Sequence, residues 1–216
     1  MRGASPRPAR WSEIEQALRT AHGPLLAGVD EVGRGPLAGP VVACAVVMPP
    51  DAPCIPGVDD SKALAPAVRE ALAVEIRRAA LAVGLGAASA REVDALNVYH
   101  ATTRAMQRAL AQLARRLGRL PDHVLVDGLP IRALGVPHDA VVGGDAACYA
   151  VGCASIVAKV TRDRLMRALA ARHPGYAWER NAGYGTPAHR AAVRAAGATP
   201  HHRRSFLGRL QGELDV

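Results

Sequence analysis

Short apolar runs of strand length alternate along the chain with longer segments that repeat apolar residues at helical spacing. The runs Leu25–Val29 and Val41–Met48 are joined by a loop rich in glycine and proline, and they predict an antiparallel pair of strands. Three later runs predict the remaining strands: Leu81–Ala87, His123–Val126 and Ala140–Val142. Because helices follow the strands of the second half, we expect parallel pairing there, and therefore a mixed sheet.

Several segments carry the signals of helices that flank this sheet. A first helix is expected over Trp11–Thr20, where Ser12 is followed three residues later by Glu15, the pattern of a capping box. Pro66 suits the first turn of a second helix. Three further helices are expected over Asn97–Leu117, Ser155–Arg172 and Pro187–Ala196. Residues 199–216 then form a basic tail.

Four acidic residues stand where predicted strands end. Asp30 and Glu31 follow the first strand, Asp127 follows the fourth, and Asp145 follows the fifth. If these strands are neighbours, the carboxylates converge, and clustered carboxylates raise one another's pKa unless a cation joins them. Hard oxygen ligands select Mg²⁺ or Mn²⁺ rather than zinc, and two such ions roughly 4 Å apart promote phosphoryl displacement. The pattern therefore predicts a divalent-metal site.

Histidine ligands would give a different metal site. The chain has 8 histidines, but none forms an HxxxH or HExxH pair. His201 and His202 stand in the basic tail and are expected at the surface or against phosphates. Other aspartates are interpreted as turn or capping residues, the common role of Asp beside Gly: Asp59, Asp60, Asp122 and Asp139.

The positive charge of the chain is concentrated in its last third. The whole chain has 27 Lys and Arg against 19 Asp and Glu, and residues 151–216 hold 11 basic and 4 acidic side chains. A one-sided excess of this kind favours a polyanionic partner, most simply nucleic acid, over a merely solvated surface. Four basic residues of this region are expected to act on phosphates, either by direct contact or through their electrostatic field: Lys159, Arg162, Arg203 and Arg204.

Composition argues against several classes of protein. Hydrophobic residues make up 50% of the 216 residues and charged residues 21%, which disfavours a disordered chain. The longest apolar run, residues 41–50, is too short for a bilayer, which needs about 20 residues. No apolar stretch follows the basic N-terminus, so no secretory signal is expected. The cysteines fit no CxxC pattern and are expected to be reduced thiols in the cytoplasm: Cys44, Cys54, Cys148 and Cys153.

Five ordered motifs resemble those of ribonuclease HII. The first is Gly28–Val41, which reads GVDEVGRGPLAGPV. The others follow in the family's order: Asp60–Lys62, Leu125–Gly128, Gly144–Asp145 with Ala154–Asp163, and Gly183–Thr186. The tail His201–Phe206 is also typical, so the resemblance runs from Leu25 to Phe206, most of the chain.

This resemblance implies a ribonuclease H-like α/β fold, with a mixed five-stranded sheet flanked by helices and a small C-terminal helical extension. It implies an endonuclease, dependent on Mn²⁺ or Mg²⁺, that hydrolyses the RNA strand of RNA–DNA hybrids. It also implies cleavage on the 5′ side of ribonucleotides embedded in duplex DNA, which leaves a 3′-hydroxyl and a 5′-phosphate. Such an activity serves ribonucleotide removal in DNA repair and replication.

By motif match, the catalytic and metal-binding acids would be Asp30, Glu31, Asp127 and Asp145. Substrate-binding residues would be Gly33, Arg34, Gly35, Lys62, Ser155, Lys159 and Tyr184. The Gly33–Gly35 backbone would read the ribose 2′-hydroxyl, since glycine lets a backbone approach a ligand closely. An exposed Tyr184 would pack on the neighbouring sugar. Ala63 departs from the family, which often has a second lysine there, and this puts one backbone contact in question.

The expected organisation has three parts: an N-terminal extension with a short helix at 1–24, a catalytic domain at 25–185, and a basic helical segment at 186–216. We expect a cytoplasmic monomer. Two other classes of protein stay open as alternatives. A non-catalytic nucleic-acid-binding module would not need the four acids, and a junction resolvase of the same broad fold would have no reason to carry Gly33–Gly35 or Tyr184.

Overall fold

A computed structural model describes residues 10–58 and 64–212 of the chain. Five strands and eight helices lie within these ranges. In chain order they are α1 (Glu13–His22), β1 (Leu26–Val32), β2 (Val41–Val47), α2 (Pro66–Ala79), β3 (Ala82–Ala88), α3 (Ala90–Leu117), β4 (His123–Asp127), β5 (His138–Val141), α4 (Gly144–Ala147), α5 (Tyr149–Arg172), α6 (Trp178–Asn181), α7 (Pro187–Ala196) and α8 (Arg204–Gly212).

The five strands form one mixed sheet in the order β3-β2-β1-β4-β5. β1 pairs antiparallel with β2, and β2 pairs antiparallel with β3. On the other side, β1 and β4 are parallel, as are β4 and β5. The prediction of a mixed sheet is therefore confirmed, and β1, β4 and β5 are neighbours whose carboxyl ends lie at the same edge.

Helices cover both faces of the sheet. α3 packs on one face against side chains such as Val29 and Val126, while α2 and α5 pack on the other against Cys44 and Val46. β1 lies directly against the first turn of α5 at Gly28. A β-carbon at that position would lie 2.2 Å from the carbonyl carbon of Ala150, so only glycine permits this approach.

The end of β1 differs from the prediction. Asp30 and Glu31 do not follow the strand but lie inside it, because β2 pairs with β1 as far as Val32. The parallel pairing with β4 stops earlier, at Val29. Both acids therefore stand on the part of β1 that extends beyond its parallel neighbour.

The long helix α3 begins seven residues before the predicted Asn97. Ser89 caps its true start, and Glu92 completes a capping box. Asn97 lies inside the helix with a φ of 63°, where the chain kinks. Its side-chain oxygen accepts hydrogen bonds from the N–H groups of Tyr99 and His100, so it caps the second part of the helix as predicted.

Helix α5 also begins earlier than Ser155, because a distant side chain caps it. The buried Glu15 carboxylate accepts hydrogen bonds from the backbone N–H groups of Tyr149 at 2.9 Å and Ala150 at 2.8 Å. The same carboxylate accepts from the N–H and hydroxyl of Ser12, which confirms the predicted capping box of α1. One acid thus joins α1 to α5 across 134 residues of sequence.

The remaining predictions concern the C-terminal helices, the cysteines, membrane-spanning helices and the domain boundaries. α7 spans the predicted Pro187–Ala196, whereas α6 and α8 were not predicted as separate helices. The four cysteines carry free thiols. In the described part of the chain, no helix has both the length and the apolarity to cross a membrane. The division at residues 24 and 185 stays a prediction.

Candidate active site

Three of the four predicted acids meet at one point beside the sheet. Asp30 comes from the extension of β1, Asp127 from the last position of β4, and Asp145 from α4, which follows β5. One carboxylate oxygen from each lies within 4.8 Å of the other two. The convergence follows from topology, since β1 and β4 are neighbouring parallel strands and α4 follows β5, the next strand of the sheet.

Local hydrogen bonds orient these carboxylates. Asp127 Oδ1 accepts from the backbone N–H of Gly144 at 2.7 Å, which draws the segment carrying Asp145 toward the end of β4. Asp30 Oδ1 accepts from the N–H of Glu31 at 2.7 Å, and the Ser155 side chain also hydrogen-bonds Asp30. Asp145 Oδ1 accepts from the N–H of Ala146 at 3.1 Å.

Glu31 stands apart from the other three acids. Successive side chains of a strand point to opposite faces, so Glu31 cannot point where Asp30 does. Its carboxylate instead forms an ion pair of 3.2 Å with Arg34, whose side chain is half exposed. Glu31 nevertheless lines the same cavity as Asp30 and Asp127.

The electrostatics of the cluster favour a bound cation. Burial, followed by the charge of Glu31, raises the pKa of Asp30 well above its ordinary value, although the hydrogen bond from Ser155 opposes the shift. Burial also raises the pKa of Glu31, against the opposing effect of Arg34. A divalent cation would supply the positive charge that these buried oxygens need, so the residues present fit an Mg²⁺ or Mn²⁺ site.

A cavity of about 530 Å³ opens on the cluster, a volume within the usual range of ligand sites. Three of the predicted substrate-binding residues, Ser155, Lys159 and Tyr184, line it. Arg69 and Asp163 also line it, although neither was predicted as a site residue. Lys159 donates to Asp163 at 2.7 Å, four residues later on the same helix, a spacing that could have indicated the pair. Lys62 and Ala63 lie outside the described residues.

The loop Gly33–Pro40 follows β1 and is held by two buried arginines. Arg203 donates to the carbonyls of Gly33 at 2.6 Å, Arg34 at 2.7 Å and Gly39 at 2.9 Å. Arg162 donates to three more carbonyls, those of Pro40, Ala38 and Ala182. Both guanidinium groups are inaccessible to solvent.

This arrangement overturns the expectation of direct phosphate contact for Arg162 and Arg203, and leaves them only a contribution to the positive field. Both guanidinium groups donate to backbone carbonyls, since a buried charged group needs hydrogen-bond partners to offset its lost hydration. Burial and the nearby Arg162 lower the pKa of Arg203 to about 10, which leaves it charged at neutral pH. Lys159 and Arg204 lie partly or fully exposed.

Tyr184 stands beside this loop. Its side chain is 46% exposed, as expected, and it lines the cavity of the acid cluster. A β-carbon at Gly35 would lie 3.8 Å from Tyr184 Cε1, so the ring is next to the loop. The N–H of Leu37 donates to the carbonyl of Gly183 at 2.9 Å and joins the two segments. We call the Gly33–Gly35 backbone and the Tyr184 ring together the reader.

The histidines do not behave as the sequence suggested. His202 is buried and accepts from the N–H of Thr199, so the expectation of a surface residue is wrong. His22, His123 and Asp139 come together at the far end of the sheet. There His123 Nε2 hydrogen-bonds Asp139 at 2.7 Å, and the rings of His22 and His123 are stacked at 4.0 Å with 9° between their planes. Lone pairs in parallel planes do not converge, so this geometry favours a hydrogen-bonded pair over a metal site.

Comparison with known proteins shows the family to which the chain is similar. The family model described as Ribonuclease HII matches residues 27–208. The chain is 49% identical over 200 residues to a ribonuclease HII of Geobacillus thermodenitrificans, covering 91% of this chain and 75% of that protein. It is 54% identical over 196 residues to one from Paracoccus denitrificans, covering 89% and 90%.

A solved structure supports the fold in the same way. The ribonuclease H2 of Pyrococcus horikoshii superposes with a TM-score of 0.69 at 26% identity, covering 83% of this chain and 92% of that one. The family-model match to residues 27–208 includes the strands that bring the acids together and the loop that Arg162 and Arg203 hold. With the fold, the acid cluster and these matches in agreement, the chain belongs to the ribonuclease HII family and is a ribonuclease H, an endonuclease that acts on RNA–DNA hybrids.

Proposed function

We propose that the enzyme also cuts duplex DNA on the 5′ side of single embedded ribonucleotides, leaving a 3′-hydroxyl and a 5′-phosphate. One observation carries this proposal: Tyr184 lines the cavity of the acid cluster, and the Gly33–Gly35 loop lies against Tyr184. Residues suited to sensing a sugar thus adjoin residues suited to hydrolysing a phosphodiester. A 2′-hydroxyl is the only group that marks a ribonucleotide within DNA.

The acid cluster is proposed to bind two divalent cations, either Mn²⁺ or Mg²⁺. Asp30, Asp127 and Asp145 would hold them, with Glu31 as a further oxygen donor at the edge. When bound, such cations make water more nucleophilic and neutralise the charge that develops on the phosphate. The protein orients the acids through the N–H of Gly144 and through Ser155.

The reader is proposed to select the cleavage position. A site that hydrogen-bonds a substrate hydroxyl rejects its absence by roughly 10⁴-fold or more, whereas an apolar slot cannot. The backbone of Gly33–Gly35 is suited to that hydrogen bond because Arg203 fixes the carbonyls of Gly33 and Arg34 from the inside. The exposed ring of Tyr184 would then cover the adjacent deoxyribose.

The phosphate contacts are proposed to come from exposed cations near the cavity. Lys159, Arg167 and Arg180 line a second cavity that shares Arg69 and Asp163 with the first. The side chains of Arg167 and Arg180 are 54% and 84% exposed, and each pairs with a surface glutamate. Each arginine can exchange its glutamate partner for a phosphate, because an exposed ion pair contributes little to the free energy of folding.

Replacing Arg167 and Arg180 together with glutamine is expected to weaken binding of hybrid and plain duplex alike. Each lost phosphate contact lowers the slope of log affinity against log salt by about 1, so the double variant should lose about 2. Arg104→Gln, which removes an exposed charge on α3, serves as the matched control. The measurement is the dissociation constant across a salt series, and an unchanged slope would show that these arginines are only a solvated surface.

A cleavage assay on three end-labelled duplexes tests the proposed function. One duplex is all DNA, one has a single ribonucleotide, and one has a continuous RNA strand. The proposal predicts a single cut 5′ of the ribonucleotide, cleavage of the hybrid, and no cleavage of the DNA. A DNA-binding module would cut none of them, and a resolvase would cut only branched DNA. Cleavage of the hybrid alone would contradict the proposal.

Tyr184→Ala is expected to reduce kcat/KM at a single embedded ribonucleotide by roughly tenfold to a hundredfold, because a sugar that is no longer held can shift by about 1 Å from its reactive position. On the long hybrid the loss should be smaller, since no deoxyribose follows the cut. Tyr184→Phe keeps the ring and should lie between wild type and Tyr184→Ala. Equal losses on both substrates would mean that Tyr184 only supports the loop.

We further propose that the enzyme acts as a cytoplasmic monomer in ribonucleotide removal. All the acids and both parts of the reader come from one chain. The free thiols suit a reducing compartment. Light scattering at assay concentration tests the monomer, and a dimer would contradict it.

A further inference from the structure

A dipeptide near the C-terminus, His202–Arg203, is linked by hydrogen bonds to both parts of the reader, directly to the loop and through His189 to the Tyr184 peptide. His202 and Arg203 lie in an extended segment that forms a β-bridge to Ala38, next to the glycine loop. The N–H of Arg203 donates to the carbonyl of Leu37 at 2.8 Å, and the N–H of Gly39 donates to the carbonyl of His201 at 2.9 Å. Since neighbouring side chains of an extended segment point in opposite directions, these two side chains reach different targets.

Arg203 reaches the first part of the reader. Its guanidinium donates to the carbonyls of Gly33 and Arg34, the residues whose backbone faces the proposed sugar site. These two hydrogen bonds, at 2.6 and 2.7 Å, together with those to Gly39, fix three peptide groups of one loop. The planar fork of arginine is suited to several carbonyls at once.

His202 reaches the second part through His189. The N–H of Thr199 donates to His202 Nδ1 at 2.9 Å, so that nitrogen is an acceptor and the ring proton is on Nε2. His189 Nε2 accepts from Trp178 Nε1 at 2.9 Å, and His202 Nε2, 3.1 Å away, shares the same single lone pair. The proton of His189 is therefore on Nδ1, which donates to the carbonyl of Tyr184 at 2.9 Å.

Each ring of this chain is held as one neutral tautomer. His189 and His202 are buried. Burial and the neighbouring His189 lower the pKa of His202 to about 4, and burial lowers that of His189. The chain of donors thus has one direction, from the Thr199 N–H through His202 and His189 to the peptide of Tyr184.

We propose that His189, His202 and Arg203 are positioning residues that hold the Tyr184 ring in register with the Gly33–Gly35 backbone, and so set the preference for an isolated ribonucleotide. The inference rests on the proposed function. The two parts of the reader are about 150 residues apart in the chain. One short segment is linked to both, because Arg203 donates directly to the carbonyl of Gly33, and His202 adjoins His189, which donates to the carbonyl of Tyr184. A shift between them would misplace the sugar while leaving the acid cluster intact.

The test compares three substitutions of His189. An asparagine amide can take the place of Nδ1 and still donate to the Tyr184 carbonyl, whereas a glutamine amide takes the place of Nε2 and cannot. We measure kcat/KM on the single-ribonucleotide duplex and on the long hybrid. His189→Gln and His189→Ala should lower the ratio of the two by about tenfold, and His189→Asn should stay within about threefold of wild type.

Two further variants separate positioning from simple support. In a Tyr184→Ala background, His189→Gln should change the ratio no further, because both changes act through the same ring. His173→Gln is the matched control, since His173 contacts Trp178 within the same cluster but outside the chain of donors. Circular dichroism sets an assay temperature at which every variant is folded.

The wild-type and Tyr184→Ala ratios test the proposed function by themselves. If they behave as proposed while His189→Gln keeps the wild-type ratio, the positioning role is overturned.

A measurement on the wild-type enzyme needs no variant to fold. Two-bond ¹⁵N–¹H spectra of the histidines report which ring nitrogen carries the proton. The structure predicts neutral His189 protonated on Nδ1 and neutral His202 protonated on Nε2 at neutral pH. An Nε2 proton on His189, or a cationic ring at either position, would overturn the chain of donors.

Discussion

Replacing Asp145 with asparagine is expected to lower kcat by roughly 10³-fold or more while the affinity for the duplex changes little. Asparagine keeps the size of the side chain but removes the charge that would balance a divalent cation. Asp145 lies within 4.8 Å of Asp30 and Asp127, so the cluster would lose a charged ligand at its centre. Single-turnover cleavage and equilibrium binding on the same labelled duplex separate the two effects.

Asp139→Asn is the matched control for that experiment. Asp139 lies on β5, six residues before Asp145, and its side chain is 55% exposed. Its carboxylate hydrogen-bonds His123 at the other end of the sheet, so the substitution removes a charge away from the acid cluster. We expect near wild-type cleavage. Comparable turnover in the Asp145→Asn and wild-type enzymes at saturating metal would remove Asp145 from the site.

Gly33→Ala is expected to reduce kcat/KM at a single ribonucleotide by about 10²-fold, the cost of displacing a positioned group by roughly 1 Å. Gly33 has a φ of +92°, and its β-carbon would lie 2.1 Å from Arg162 Nε. Arg162 is buried and bound to three carbonyls, so it cannot move aside. The loop must shift instead, and the backbone that would read the 2′-hydroxyl shifts with it.

Gly135→Ala isolates the backbone strain in this comparison. Gly135 has a similar φ of +85°, but no atom of the described residues lies within 4 Å of its would-be β-carbon. Both variants should lose thermal stability, whereas only Gly33→Ala should lose activity. If Gly33→Ala retains wild-type kcat/KM on the single-ribonucleotide duplex, the loop does not read the sugar.

The sequence pattern predicted the sheet and the acids because both depend on local signals. Apolar runs located the five strands, and Asp127 was predicted because it directly follows the apolar run His123–Val126. The different directions of the Glu31 and Asp30 side chains follow from strand alternation, but they could be predicted only once both acids were known to lie inside β1. Pairing with β2 decides that extension, and pairing is a long-range property.

The remaining differences come from side chains that act across long stretches of sequence. Glu15 caps α5 from α1, so the true start of α5 has no signal near Tyr149. Arg162 and Arg203 look like phosphate contacts in a basic region, but buried carbonyls of a distant loop take their donors. Net charge counts these arginines as surface, whereas folding places them inside.

The binding of Mn²⁺ to the acid cluster tests the central claim most directly. We would measure anomalous diffraction at the manganese edge from crystals of the wild-type enzyme with a duplex in which a non-hydrolysable linkage replaces the phosphodiester 5′ of its single ribonucleotide. We predict manganese bound by Asp30, Asp127 and Asp145, with the 2′-hydroxyl of the ribonucleotide against the backbone of Gly33–Gly35. Manganese absent from these acids, or present only at His22, His123 and Asp139, would contradict it.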